Sequence, residues 1–151
     1  MKYDSTKDTL KHIAMVHEFG VRLSNDLSRR LITHDKSKLK KPEKDIFDKY
    51  TPKLKNQTYG SDEYKKSLNG MKEALKHHYD FNRHHPEHFV NGIKDMTLID
   101  LCEMLSDWKA ASLRHNDGDI NKSIEINQSR FGYSDELKQI FLNTIDYYFK
   151  L

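Results

Sequence analysis

Five of the chain's nine histidines fall within "HHYDFNRHHPEHF", residues 77 to 89. Imidazole nitrogens ligate transition metals, titrate near neutral pH and, at a helix C-terminus, interact favourably with the dipole. The dipole accounts for one of these histidines, not for five. A second signal is His34-Asp35 in "RRLITHDKSK". Adjacent imidazole and carboxylate offer a nitrogen and an oxygen ligand, a pair that suits zinc, manganese, iron or a similar divalent ion. Asp35 would equally serve as a cap for the following helix. A third signal is Asp100, Glu103 and Asp107, which share one helical face at spacings of three and four. Asp107 directly precedes Trp108, at the border of an apolar stripe. Such a row destabilises a helix slightly unless something positive answers it, and lysines at a solvated edge would suffice. Two familiar motifs are excluded. "DGDINKSIEINQ" lacks the glycine and glutamate of an EF-hand loop. "HHPEH" carries a proline where a zinc-protease helix would have to continue.

Helices must position these groups, because Gly (six) and Pro (three) are scarce and period-two alternation is absent. Leu10, Ile13, Val16, Phe19, Leu23, Leu27 and Leu31 form an amphipathic stripe, started by Asp4 or Ser5. "SND" at 24–26 predicts a break, hence two helices. Pro42 opens a helix that Pro52 should end or interrupt. Ser61 or Asp62 caps the next, with Tyr64, Leu68, Met71 and Leu75 on one side. Residues 81–96 read as an ordered loop closed by Pro86 and Gly92. Thr97 caps a helix with core positions Leu98, Leu101, Leu105, Trp108 and Ala111 or Ser112. After a polar turn at 116–119 come a helix around Ile120 to Arg130 and a final one from Ser134, carrying Leu137, Ile140, Phe141, Ile145 and Tyr148. The expectation is one all-α domain over 1–151, a compact bundle of six or seven helices.

Composition sets outer bounds. Seven Phe, eight Tyr and Trp108 can anchor a core in a chain of 151 residues. No apolar run is long enough for a membrane span, and the N-terminus lacks a signal-peptide core. Cys102 is the single cysteine, so no intrachain disulfide forms, and a cytoplasmic setting is expected. The net charge of +3 is compatible with anionic ligands without calling for nucleic acid.

The order His, His-Asp, His-His, Asp along successive helices resembles the HD-domain superfamily of metal-dependent phosphohydrolases. "HHYDFNRHHP" is similar to a segment of the branch that opens cyclic dinucleotides. Across nearly its whole length, through "TLKHIAMV", "HDKSKL", "PEKDIFDKYTPKLK", "HHYDFNRHHPEHF", "MTLIDLCEMLSDWKAA" and "DGDINKSIEIN", the chain also resembles an uncharacterised family found in bacteriophages and bacteria. The resemblance implies an HD-like helical domain in the cytoplasm, of the host if phage-encoded. It implies a divalent transition metal (Mn, Fe, Zn, Ni or Co) held by His12, His34, Asp35, His77, His78 and Asp107. His12 and His17 both flank the first stripe. On one continuous helix His12 and His34 would stand ~33 Å apart, so they share a metal only if the chain reverses near residue 23. That condition, and the "HIAMV" context, favour His12.

The implied chemistry is hydrolysis of a small phosphorylated substrate: a nucleotide, a cyclic dinucleotide or a related phosphoester. Asp35, Glu103 and Lys38 are the catalytic candidates, with Glu103 or Asp100 orienting water or a histidine. Lys36, Lys38, Arg83 and Asn82 are the candidates for holding substrate. Two alternatives stand beside it. One is a di-iron oxygenase on the same scaffold. The other is a non-catalytic metal-containing protein that binds a nucleotide signal or a host protein. The substrate, the number of metals and the oligomeric state are not encoded in any motif.

Overall fold

In the computed structural model, residues 3–57, 61–114 and 118–149 are described. They form seven α-helices and three short 3₁₀ turns with no strand, the all-α class expected. The helices are α1 (Thr6–Thr33), α2 (Glu43–Lys55), α3 (Asp62–Gly70), α4 (Lys72–Phe81), α5 (Leu98–Ser112), α6 (Ile120–Phe131) and α7 (Asp135–Tyr148). The 3₁₀ turns span Lys36–Leu39, Pro86–His88 and Gly92–Asp95. Contacts divide the chain into two units, Met1–Thr33 and His34–Leu151. No helix among the described residues is long and apolar enough to cross a membrane.

The first unit is α1. Asp4 starts it, its Oδ1 accepting from Thr6 N at 3.0 Å and Thr6 Oγ1 at 2.6 Å. The break expected at Ser24–Asp26 does not occur, and α1 runs 28 residues without interruption. Serine, asparagine and aspartate each cost a helix only about 0.5 kcal/mol relative to alanine. Two ion pairs within the helix, Arg22 with Glu18 and Arg29 with Asp26, brace this stretch. The reversal near residue 23 on which His12 depended is therefore absent.

The second unit carries the remaining elements. Pro42 caps α2, which begins one residue later at Glu43. Pro52 lies inside α2, contrary to expectation, and the helix continues to Lys55. So near the C-terminal end the missing N–H removes one bond from a turn that is about to fray, and the residue is exposed. Ser61 caps α3 as expected, accepting from Tyr64 N at 3.1 Å. The single helix expected to carry Tyr64, Leu68, Met71 and Leu75 is instead two, joined at Met71. Gly70 closes α3 because Tyr50 of α2 packs against it. A Cβ at Gly70 would press on the end of the Tyr50 ring, which would have to shift to make room.

Helices α5, α6 and α7 enclose the apolar core of Met104, Leu105, Ile120, Ile124, Tyr133, Phe141 and Ile145. Trp108 lies against it, edge-on to Phe141 at 6.0 Å between ring centres. Ser134 caps α7 as expected, and Gly132 ends α6 at φ 67°. Several stripe assignments shift. Leu98, Ile140 and Tyr148 are exposed, and on α5 Ile99 and Met104 are buried where Leu98 is not. The polar turn at 116–119 falls partly outside the described residues. On α5 the reason is visible: Asp100 and Glu103 are themselves buried, with Ile99 and Met104 on either side of them, so the buried face extends toward the acids and Leu98 is left exposed.

Candidate metal centre

Two residues at the end of α1 open the site. His34 and Asp35 follow Thr33 directly, and Asp35 adopts φ 57°, ψ 10°. This left-handed conformation terminates helices, and Asp and Asn tolerate it better than other side chains. Asp35 makes no side-chain cap bond to the following turn, so capping does not explain its carboxylate. That carboxylate faces inward. Its Oδ1 lies 3.2 Å from His78 Nε2 and 3.5 Å from His84 Nε2, and its Oδ2 lies 3.6 Å from His34 Nε2. His34 Nε2 is also 3.5 Å from Asp107 Oδ1, and His78 Nε2 is 2.9 Å from His85 Nε2. Two groups of ligand atoms result, each within 4.8 Å: Asp35, His78, His84 and His85, and His34, His84 and Asp107.

The opposite edges of these imidazoles are tied down by glutamates. Glu103 Oε1 lies 3.0 Å from His34 Nδ1 and 3.2 Å from His84 Nδ1. Glu43, fully buried, accepts through Oε1 from His77 Nδ1 at 2.7 Å and through Oε2 from His78 Nδ1 at 2.9 Å. Ser37 Oγ also donates to Glu43 Oε2 at 3.0 Å. A carboxylate only accepts, so these bonds place a proton on each Nδ1; whenever the ring is neutral, as a metal ligand must be, its Nε2 lone pair faces inward. Lone pairs then meet lone pairs and carboxylate oxygens. Asp35 Oδ1 and His84 Nε2 are buried without a hydrogen-bond partner. Ligand atoms ~2.1 Å from an ion sit about 3.0–3.5 Å apart, the separations seen here.

The electrostatics agree with a cation-seeking centre. Burial alone would push the Asp35 carboxyl up. Contacts with His78 and Lys38, and the nearby His34, outweigh it and hold Asp35 well below the usual carboxylate range. Burial likewise opposes ionisation of Asp107, and its contact with His34 overcomes that, so its carboxyl is lowered. The His34 imidazole is pushed up to about 10 by Asp107 and Glu103, which marks a corner that draws in positive charge. His85 is pushed down to about 3 by burial, with His84 and His78 adding to it, and so keeps a neutral, ligating ring.

Of the residues expected from sequence, His34, Asp35, His78 and Asp107 come together here, and Glu103 orients two of the rings. His77 turns to Glu43 and stacks on Phe81 at 4.5 Å, one step removed from the ligand atoms. His12 stands exposed on α1 and belongs to neither group. Lys38 Nζ pairs with Asp35 Oδ2 at 2.5 Å, and Lys36 is exposed. Arg83 forks onto Asp100 through Nε at 3.2 Å and Nη2 at 3.0 Å, while Thr97 donates to the same carboxylate. Arg83 thereby fixes the histidine loop to the start of α5. Asn82 Nδ2 donates to Ser37 Oγ at 3.0 Å and to the His78 carbonyl at 2.7 Å, joining the turn after Asp35 to the end of α4. Sequence reasoning missed the ligand positions of His84 and His85 and the role of Glu43. The density of "RHHP" pointed to the first two; an acidic residue in a first helical turn is too ordinary to reveal the third. His88 turns away, its Nδ1 2.9 Å from the Tyr79 carbonyl.

No curated protein and no solved structure matches the chain. A family model described as a family of unknown function, DUF5662, matches residues 1–147, a span that includes every residue of the histidine–carboxylate cluster. The chain is a member of the DUF5662 family.

Proposed function

We propose that the protein is a metal-dependent phosphohydrolase acting on a nucleotide, a cyclic dinucleotide or a related phosphoester. The observation that carries the reading is the convergence of imidazole Nε2 atoms on Asp35, with His84 Nε2 and Asp35 Oδ1 buried and unpartnered. Folded proteins leave few buried polar atoms unsatisfied, and a divalent transition ion (Mn, Fe, Zn, Ni or Co) satisfies both. When bound, such an ion supplies an acidified water and neutralises phosphate oxygens.

The chain's own residues divide the remaining work. His78 and His84 close the back of the site at 1–2% side-chain exposure, whereas His34, Asp35 and Asp107 keep 17–22%. Structural metal sites are closed, and catalytic ones keep an open position. The open side is where Lys38 stands beside Asp35, with Lys36 exposed in the same turn. On this reading the two lysines would receive phosphoryl oxygens as charge-assisted donors, Lys38 from its place beside Asp35. Glu103 and Glu43 hold ring orientation and proton position, and Arg83 and Asn82 hold the loop. The likeness of the His, His-Asp, His-His, Asp order to HD-domain phosphohydrolases supports the choice of phosphoester.

The test is turnover of a panel of nucleotides and cyclic dinucleotides by manganese-loaded protein, beside Asp35→Asn. Loss of turnover in a folded variant supports the assignment, and wild-type turnover by it contradicts the assignment. A wild type that binds metal and hydrolyses nothing on the panel favours the signal-binding alternative. Bound iron with a visible absorption band favours the oxygenase.

A further inference from the structure

The 3₁₀ turn after Asp35 ties a lysine to the carboxylate on which the metal centre depends. Lys38 N donates to the Asp35 carbonyl at 2.9 Å and closes the turn. Residues three apart eclipse in such a turn, so the two side chains lie on one side of it. The Lys38 ammonium reaches Asp35 Oδ2 at 2.5 Å. Among the described residues no second carboxylate stands within ion-pair distance of it. The same ammonium lies 5.3 Å from the centre of the Phe47 ring, which is edge-on to His78 at 6.2 Å. Lys38 is therefore held at the site by one polar and one aromatic contact. The other oxygen of Asp35 points away from it. Oδ1 is 3.2 Å from His78 Nε2 and 3.5 Å from His84 Nε2. Glu103 and Asp107 bear on His34 and His84, not on Lys38.

We infer that Lys38 competes with the metal ion for Asp35: binding of the ion displaces the ammonium from Oδ2, and Lys38 thereby sets the affinity of the centre lower than its ligands alone would give. The inference rests on the metal reading above and on no claim about substrate. An ion seated on Oδ1 with His78 and His84 shares one negative charge with Lys38, and the two cations stand on the order of 5 Å apart. Charge over distance decides between them. A dication ~2.1 Å from a carboxylate oxygen attracts it roughly twice as strongly as an ammonium at 2.5 Å. Release asks little of the chain. The backbone bond that closes the turn stays in place, and the Phe47 ring offers the ammonium a second seat. The opposite role for Lys38 is a clamp that holds the carboxylate ready for the ion. The two roles differ in sign. Loss of a clamp weakens metal binding about 10–100-fold, whereas loss of a competitor tightens it.

Zinc affinity of the full chain, measured by competition with a chelating dye, tests the inference without any substrate. Lys38→Met keeps the stem and removes the charge, and it should bind zinc at least ~10-fold more tightly than wild type. Lys38→Arg keeps the charge and should bind no more tightly than wild type. Unchanged or weaker binding by Lys38→Met overturns the inference, as does equal tightening in both variants. A wild type that binds no zinc overturns it together with the metal reading. Because a substitution in the turn can disturb Asp35 itself, labelling of the unaltered chain gives an independent reading. Reductive methylation followed by mass spectrometry should modify Lys38 several-fold faster in zinc-loaded than in zinc-free protein, with Lys36, exposed in the same turn, as the reference. A Lys38 rate that zinc leaves unchanged or lowers refutes the displacement.

Discussion

Helix α5 has two faces, and they are built on opposite principles. Met104, Leu105 and Trp108 lie in or against the apolar core with Ile124, Tyr133, Phe141 and Ile145. Glu103 and Asp107 face the imidazoles of His34 and His84, the two rings that border Asp35. The apolar face is self-sufficient: van der Waals contact and water exclusion satisfy every atom it buries. The polar face lies against the cluster in which Asp35 Oδ1 and His84 Nε2 are buried without a hydrogen-bond partner. Burying polar groups without partners is costly, so a chain that does so gains something else by it. The contrast teaches that the two faces should respond differently to the same perturbation. Loss of a core side chain should cost stability and leave metal uptake alone. Loss of a cluster residue should cost metal uptake first.

The largest effect is expected from Asp35→Asn. Asparagine accepts the left-handed backbone as well as aspartate does, so the variant changes charge and ligation with little added strain. Bound metal should fall to about a tenth of wild type or less, and turnover by about 100-fold or more. Elemental analysis and kinetics on the same preparation check this. A folded variant with full metal content would erase the distinction between the faces.

Phe141→Ala probes the opposite face. Phe141 is 3% exposed and packs edge-on against Tyr133 and Trp108. Its truncation should cost about 3–5 kcal/mol and lower the melting temperature by ~10 °C or more. Below that temperature the metal stoichiometry should equal wild type, and the rise in melting temperature on adding manganese should persist. Disappearance of that rise would show the core and the cluster to be one cooperative structure.

Glu43→Gln removes no ligand. It replaces the acceptor that holds the protons of His77 and His78 on Nδ1, and an amide can donate where the carboxylate only accepts. Metal affinity should weaken about 10–100-fold, measured by competition with a chelating dye, with the fold intact. Unchanged affinity would make Glu43 a structural acceptor only.

The smallest effect belongs to Tyr133→Phe. The Tyr133 hydroxyl donates to the Ile124 carbonyl, and burial pushes its phenol up to about 12. Removing the hydroxyl should cost about 1 kcal/mol in chemical denaturation and nothing in metal binding.

What was legible in the sequence follows the range of the interaction that decides it. Ser61, Thr97 and Ser134 announce helix starts because a cap bonds only two or three residues on. The grouping of His34, Asp35, His78 and Asp107 was legible in their order along the helices. Glu43 was not, because its partners lie 34 and 35 residues away and nothing local marks it as buried. Arg83 read as a phosphate donor on charge alone; its actual partner, Asp100, is 17 residues distant. The supposed break in α1 failed for a related reason. Ser24, Asn25 and Asp26 are weak helix formers, but the exposure of the first two and the pairing of Asp26 with Arg29 let them continue a helix. With that break gone, His12 and His34 have no reversal between them.

The most direct test of the central claim is metal itself. Protein purified without chelator should carry about one or two equivalents of a divalent transition ion. Stripping should lower the melting temperature and manganese or zinc restore it, since a ligand bound only by the folded state stabilises by ~2.7 kcal/mol at one hundred times its dissociation constant. Metal below about a tenth of an equivalent, with no rise in melting temperature on addition of any of the five candidate ions, would contradict it.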